Sequence, residues 1–146
     1  MRKILYIEDE TGLLWVDTMV RKLHEFGFDV DTAAGPNEAI AKLTVDGNAY
    51  DGILLDILMP TNGRYTKEET SDGGNTGLVL LREIRRGWAD IPIVILSVKF
   101  SSSMQWTIDQ GLVQDVIEKP ANPARVAEVL TRACDPRGHQ RNAPRS

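Results

Sequence analysis

Short apolar runs alternate with helical patterns along most of the chain, and this alternation restricts the fold more than any other feature. Five runs fit strands: residues 3–7, 28–32, 50–55, 91–96 and 114–118. Between and after them, apolar residues recur at the three- to four-residue spacing of helices that bury one face. Strands that alternate with helices form parallel sheets with right-handed crossovers. We therefore predict an α/β domain with five parallel strands and five helices.

Local signals refine this prediction. The first helix carries Leu13, Val16 and Leu23 at helical spacing, and Gly27 is placed to end it in a left-handed conformation. The unbroken run 53–55 indicates a central strand that is covered on both faces, whereas 28–32 alternates polar and apolar residues as a strand near a sheet edge does.

Composition excludes several classes of protein. The 146 residues, 42% hydrophobic and 26% charged, are typical of one globular domain. The net charge of −4 gives no general reason to expect nucleic-acid binding, and no stretch approaches the roughly 20 apolar residues of a membrane span. The single Cys134 allows no intramolecular disulfide, which fits the cytoplasm, where we expect the protein.

Two polar segments lie outside the alternation. Residues 61–76 are rich in turn formers and are predicted to form a long inserted loop. Residues 134–146 are predicted to be a flexible tail. The sequence thus predicts one domain over residues 1–133, interrupted by the loop and followed by the tail.

Polar groups follow four of the predicted strands at their carboxyl ends. Glu8, Asp9 and Glu10 follow the first strand, Asp56 the third, Ser97 the fourth and Lys119 the fifth. Ligands of open parallel sheets bind at this edge. Carboxylates, a hydroxyl and an ammonium group that converge there suit a phosphoryl group together with a divalent cation.

Each of these groups has a chemical role in that arrangement. Close carboxylates repel one another unless a cation joins them, and oxygen ligands with open water positions suit Mg²⁺. Asp9 and Asp56 would bind the ion directly, and Glu8 could act through a water. Asp56 would keep one oxygen to attack phosphorus, while Lys119 would offset phosphoryl charge and Ser97 could donate a hydrogen bond.

Four stretches in this order resemble the receiver domain of bacterial response regulators: I-L-Y-I-E-D-E, Y-D-G-I-L-L-D-I-L-M-P, I-P-I-V-I-L-S and V-I-E-K-P. The resemblance implies a CheY-like, flavodoxin-like sandwich with strand order 2-1-3-4-5. It also implies that Asp56 receives phosphate with Mg²⁺ from a histidine kinase or a histidine phosphotransfer protein, and that the domain then switches its affinity for a protein target. By the same resemblance the backbone carbonyl of Leu58 is a metal ligand and Lys119-Pro120 is a cis peptide.

The sequence also departs from the family pattern. Residues 61–76 separate Pro60 from the helix that usually follows within a few residues, and we hypothesise that this insertion helps to select the partner. Val98 stands where a small residue is typical and would narrow access to the phosphate site. Val116 stands at the position that is commonly Tyr or Phe, which puts the usual aromatic switch in doubt.

Leu58 and Lys99 occupy the two positions whose side chains can flank the water that hydrolyses an aspartyl phosphate. An apolar Leu58 cannot orient that water, so we expect the domain to catalyse its own phosphorylation but to lose the phosphate slowly. We expect no free-standing enzyme activity.

Three alternatives compete with this interpretation. A haloacid-dehalogenase-like phosphatase would need a second acid where Leu58 stands, and a flavodoxin would need a glycine- and hydroxyl-rich loop where Glu8 and Asp9 stand. Both are minor. The stronger alternative is a receiver-like interaction module that works without phosphorylation, as Val98, Val116 and the insertion suggest.

Overall fold

Five parallel strands form one sheet in the order β2-β1-β3-β4-β5. The strands of the computed structural model are β1 (Arg2–Ile7), β2 (Phe28–Ala33), β3 (Gly52–Asp56), β4 (Ile93–Ser97) and β5 (Asp115–Glu118). The helices are α1 (Leu14–Glu25), α2 (Pro36–Asp46), α3 (Lys67–Thr70), α4 (Thr76–Gly87), α5 (Ser102–Asp109) and α6 (Pro123–Cys134), with a 3-10 turn at Gly47–Ala49. The structure describes residues 1–10, 12–71, 74–98 and 100–135.

The helices cover both faces of the sheet. Alternate residues of β1 point to opposite faces, so Tyr6 packs with α1 and α6, whereas Leu5 and Ile7 pack with α2, α4 and α5. Every residue of β3 and β4 is buried, as the unbroken apolar run of the third strand predicts. The predicted fold class and strand order are confirmed.

Several local predictions hold. Gly27 has a φ of 96°, in the left-handed region, and follows the C-cap residue Phe26 of α1. Strand β2 lies at a sheet edge. Lys119-Pro120 is cis. The structure also shows that Asn122 caps α6 by accepting a hydrogen bond from the backbone N–H of Ala124 at 2.8 Å.

Two local predictions are wrong. Leu13 precedes α1 and is 45% exposed, and Met19 is buried in its place because the helix presents the face that carries Val16, Met19 and Leu23 to the sheet. The described residues also form six helices rather than five, because residues 67–70 of the insertion make a short one.

The insertion is attached to the second and fourth helices. Arg64 forms an ion pair with Glu83 of α4 and donates a hydrogen bond to Asn37 of α2 at 3.1 Å. Tyr65 donates to the same Glu83 carboxylate at 2.5 Å. The start of the insertion is therefore fixed against α2 and α4. Residues 72 and 73 lie outside the described part of the chain, as do residues 136–146 of the predicted tail.

No helix within the described ranges is both long and apolar enough to cross a membrane.

Candidate phosphoacceptor and metal site

The ends of β1 and β3 bring three carboxylates together. Oxygen atoms of Glu8, Asp9 and Asp56 all lie within 4.8 Å of one another. This proximity follows from the register, because Ile7 pairs with Leu55 and each strand continues by one residue into its acid. The acidic positions that the sequence places at one edge are thus brought into a single cluster, with Asp56 only 4% exposed and Glu8 1%.

The ammonium group of Lys119 lies among these acids. Its Nζ atom is 3.1 Å from Glu8 Oε2 and 3.2 Å from Asp56 Oδ1. The lysine follows β5, and its backbone N–H donates to the carbonyl of Ser97 at 2.7 Å, which holds it beside the end of β4. One cation therefore serves two buried carboxylates.

Lys119 offsets only part of the cost of burying the charges of Glu8 and Asp56. Burial raises the pKa of Glu8 to about 8, with a further contribution from the charge of Asp56, although Lys119 opposes the shift. Burial likewise raises the pKa of Asp56 despite the same ammonium group. Because burial disfavours the charged form of a carboxyl group, a site that holds these acids ionised needs additional positive charge.

The remaining predicted residues lie around this centre. Ser97 is buried at the end of β4. Leu58 and Val98 are 57% and 63% exposed and line the same groove as Asp56 and Lys119. Val116 is half-buried on β5 and packs toward the α2, α4 and α5 side of the sheet, while Lys99 lies outside the described residues.

An open groove runs from the acidic cluster over the first turn of α1. Its volume is about 1150 Å³, and most of its lining is apolar. Besides Asp9, Glu10, Asp56 and Lys119 it is formed by Leu13, Leu14, Trp15, Thr18, Met19, Leu58, Met59, Pro60, Leu96, Val98, Pro120, Ala121 and Pro123. The charged centre therefore opens onto a mostly apolar groove beside α1.

Two residues near the site are not identified by the sequence analysis as parts of it. Trp15 lies over Lys119, with 4.6 Å between Nζ and the ring centroid, and Gly77 of α4 packs against the backbone of Asp56 and Ile57. Sequence gives no signal for the first, because its contact depends on how α1 is rotated against the sheet. The second carries a weak signal, a glycine in the first turn of a helix.

Fold and site together define an α/β protein of the flavodoxin-like type with an acidic, lysine-containing centre at the carboxyl edge of the sheet. The family described as the response regulator receiver domain matches residues 4–131. The chain belongs to this family, whose members are the receiver domains of two-component systems.

The individual relatives share less than a third of their aligned residues with this chain. A curated relative, the transcriptional regulatory protein TcrA of Mycobacterium tuberculosis, is 28% identical over 120 residues, which are 82% of this chain but 41% of TcrA. The chain thus spans about two fifths of the length of the curated relative that it matches.

Solved structures share the fold over nearly their whole length. A receiver domain protein from Clostridium thermocellum has a TM-score of 0.75 at 21% identity, covering 94% of this chain and 97% of its own. The response regulator TrrA of Thermotoga maritima, solved in complex with Mg²⁺ and BeF, has a TM-score of 0.67 at 26% identity, covering 91% of this chain and 99% of its own.

Proposed function

We propose that the protein is a response regulator whose Asp56 accepts a phosphoryl group from the phosphohistidine of a histidine kinase or of a histidine phosphotransfer protein in the cytoplasm. The observation that carries this proposal is the position of Lys119, whose ammonium group lies 3.1 Å from Glu8 and 3.2 Å from Asp56. A cation held at a carboxylate can stabilise the charge of an incoming phosphoryl group.

The acidic cluster fits a bound Mg²⁺ ion. Three carboxylates offer oxygen ligands within 4.8 Å of one another, and oxygen donors with room for water are what Mg²⁺ prefers. We assign Asp9 and Asp56 as direct ligands, Glu8 as a ligand through water, and the Leu58 carbonyl as a further one. When bound, the ion would supply positive charge to the phosphoryl oxygens.

The side chains of the site account for the transfer. An oxygen of the Asp56 carboxylate attacks phosphorus and forms a P–O bond, while the P–N bond to the donor imidazole breaks. The imidazole nitrogen keeps the electron pair and takes a proton from solvent. Lys119 then lies within reach of the new phosphoryl oxygens, and the Ser97 hydroxyl at the neighbouring strand end can donate to another.

The outcome would be a change in affinity for a protein target. The apolar groove beside Asp56, with Leu58 and Val98 exposed at its edge, is a surface through which a partner could sense the phosphoryl group. The same groove also favours the second candidate function, an interaction module that needs no phosphorylation.

Incubation with acetyl phosphate and Mg²⁺ separates the two candidates. We expect intact-mass analysis to show one added phosphoryl group on the wild type and none on Asp56→Asn. Asp90→Asn is the matched control, because it removes an exposed carboxylate before β4, at the other end of the sheet. An unmodified wild-type protein would favour the interaction module.

A further inference from the structure

The indole ring of Trp15 covers the cation of the site. Its centroid lies 4.6 Å from the Nζ atom of Lys119, and the same ammonium group is bound by Glu8 and Asp56. We propose that Trp15 is a positioning residue for phosphoryl transfer: its aromatic face holds Lys119 against Asp56 and responds when the phosphoryl group arrives. This inference rests on the proposed function.

The contact has the features of an effective cation–π interaction. The Lys119 side chain is only 15% exposed, and such contacts are stronger when the cation is desolvated, with Trp the best of the aromatic partners. Lysine has a long flexible side chain whose rotamer freedom opposes any single position. An aromatic face beside the two carboxylates reduces the positions that the ammonium group can take before the donor binds.

Trp15 also connects the charged centre to the outer surface. The side chain is 39% exposed and lies in the groove beside Leu13 and Leu14, which are 45% and 78% exposed. A phosphoryl group on Asp56 adds negative charge next to Lys119 and attracts its ammonium group. The indole then loses part of its cation contact, so that a surface residue of α1 changes its surroundings with the state of Asp56.

The chain offers a matched control for this proposal. Trp106 of α5 is 48% exposed, similar to Trp15, but it lies beside α4 and does not line the groove. Trp15→Leu and Trp106→Leu therefore remove the same group at similar exposure, and only the first removes the contact with Lys119. Trp15→Phe keeps an aromatic face, and Trp15→Met provides a second, flexible side chain without one.

Two measurements with Mg²⁺ present test the proposal. The rate of phosphorylation by acetyl phosphate is expected to fall about three- to tenfold in Trp15→Leu and Trp15→Met, and to stay within about twofold in Trp106→Leu. Trp15→Phe is expected to restore most of the rate. Addition of beryllofluoride is expected to change tryptophan fluorescence in the wild type and in Trp106→Leu but not in Trp15→Leu.

The outcomes separate this inference from the proposed function. A wild type that accepts no phosphate removes both. If the wild type is phosphorylated but Trp15→Leu reacts as fast, or Trp15→Phe is as slow as Trp15→Leu, the aromatic face does not position Lys119. A fluorescence change that persists in Trp15→Leu contradicts the response of Trp15. Circular dichroism of each variant checks that the loss of rate is not a loss of fold.

Discussion

Leu58 is the residue on which the predicted lifetime of the proposed phosphoaspartate depends. Its side chain is 57% exposed and lines the groove two residues after Asp56. A leucine has no atom that can accept or donate a hydrogen bond, so it cannot align water for attack on phosphorus. The slow hydrolysis that we predict therefore rests on the chemistry of one exposed side chain.

We predict that the phosphorylated wild type decays over minutes or longer and that Leu58→Asn shortens this lifetime about tenfold, because an amide can orient the attacking water. The measurement is loss of radiolabelled phosphate in Mg²⁺ buffer after removal of the donor. Leu58→Ala, which opens space without adding a polar atom, should stay within about twofold of the wild type. Decay of the wild type within a few seconds would rule out this role for Leu58.

At the scale of single residues, the sequence predicts that the acids and the lysine lie at one edge of the sheet, and it does not predict the aromatic contact. Glu8, Asp9, Asp56 and Lys119 follow strand ends, and parallel strands bring their carboxyl ends to one edge. The approach of Trp15 to Lys119 depends on the rotation and tilt of α1. Helical periodicity indicates which face of the helix is buried, but it does not give the exact rotation or tilt.

At the scale of elements, the contact between the start of α4 and the end of β3 fixes the strand end that carries Asp56. The backbone N–H of Gly77 donates to the carbonyl of Ile57 at 2.9 Å. A Cβ atom on Gly77 would lie 2.5 Å from both the Asp56 carbonyl oxygen and Ile57 Cα. The start of α4 can therefore approach the end of β3 this closely only with glycine.

Gly77→Ala is predicted to destabilise the protein by about 2 kcal/mol or more, since an added methyl group in a packed site displaces backbone, and to slow phosphorylation by moving Asp56. Urea unfolding measures the first effect. Gly87→Ala in the same helix is the control, because a Cβ there meets no atom within 4 Å; it should be neutral or slightly stabilising. Equal loss of stability in both variants would contradict the steric explanation.

The insertion contains a short helix with a recognisable sequence signature. Residues 61–76 are predicted as a loop, yet Thr66 and Glu69 form a reciprocal capping box at the start of α3. The Thr-x-x-Glu spacing is the signature of that box and could have indicated the helix. The pair between Arg64 and Glu83 is a tertiary contact without such a signature.

A role of the insertion in partner selection stays a prediction. Unchanged affinities for kinase and target after its shortening would exclude this role.

At the scale of the whole molecule, the buried carboxyl groups of the proposed site lower the stability of the metal-free fold. Folding removes Glu8 and Asp56 from water, and their pKa values rise. A carboxyl group whose pKa is raised by folding contributes stability that is fully present below its unfolded pKa. This contribution is lost as the pH rises through the pKa of the folded state. The unfolded pKa of Glu8 is about 4.5. Its pKa in the folded state is about 8, so the metal-free protein is expected to lose stability between these two pH values.

Asp56→Asn is predicted to raise the free energy of unfolding of the metal-free protein at pH about 8 by on the order of 1 kcal/mol, because the neutral amide removes a buried charge and its repulsion of Glu8. Added Mg²⁺ should stabilise the wild type, since a ligand of the native state shifts the unfolding equilibrium, and should have little effect on the variant. Urea unfolding with EDTA and with Mg²⁺ measures both effects. Asp90→Asn should follow the wild type under each condition. A wild type that is as stable in EDTA as in Mg²⁺, or a variant less stable than the wild type in EDTA, would show that the buried acids are compensated by Lys119 alone.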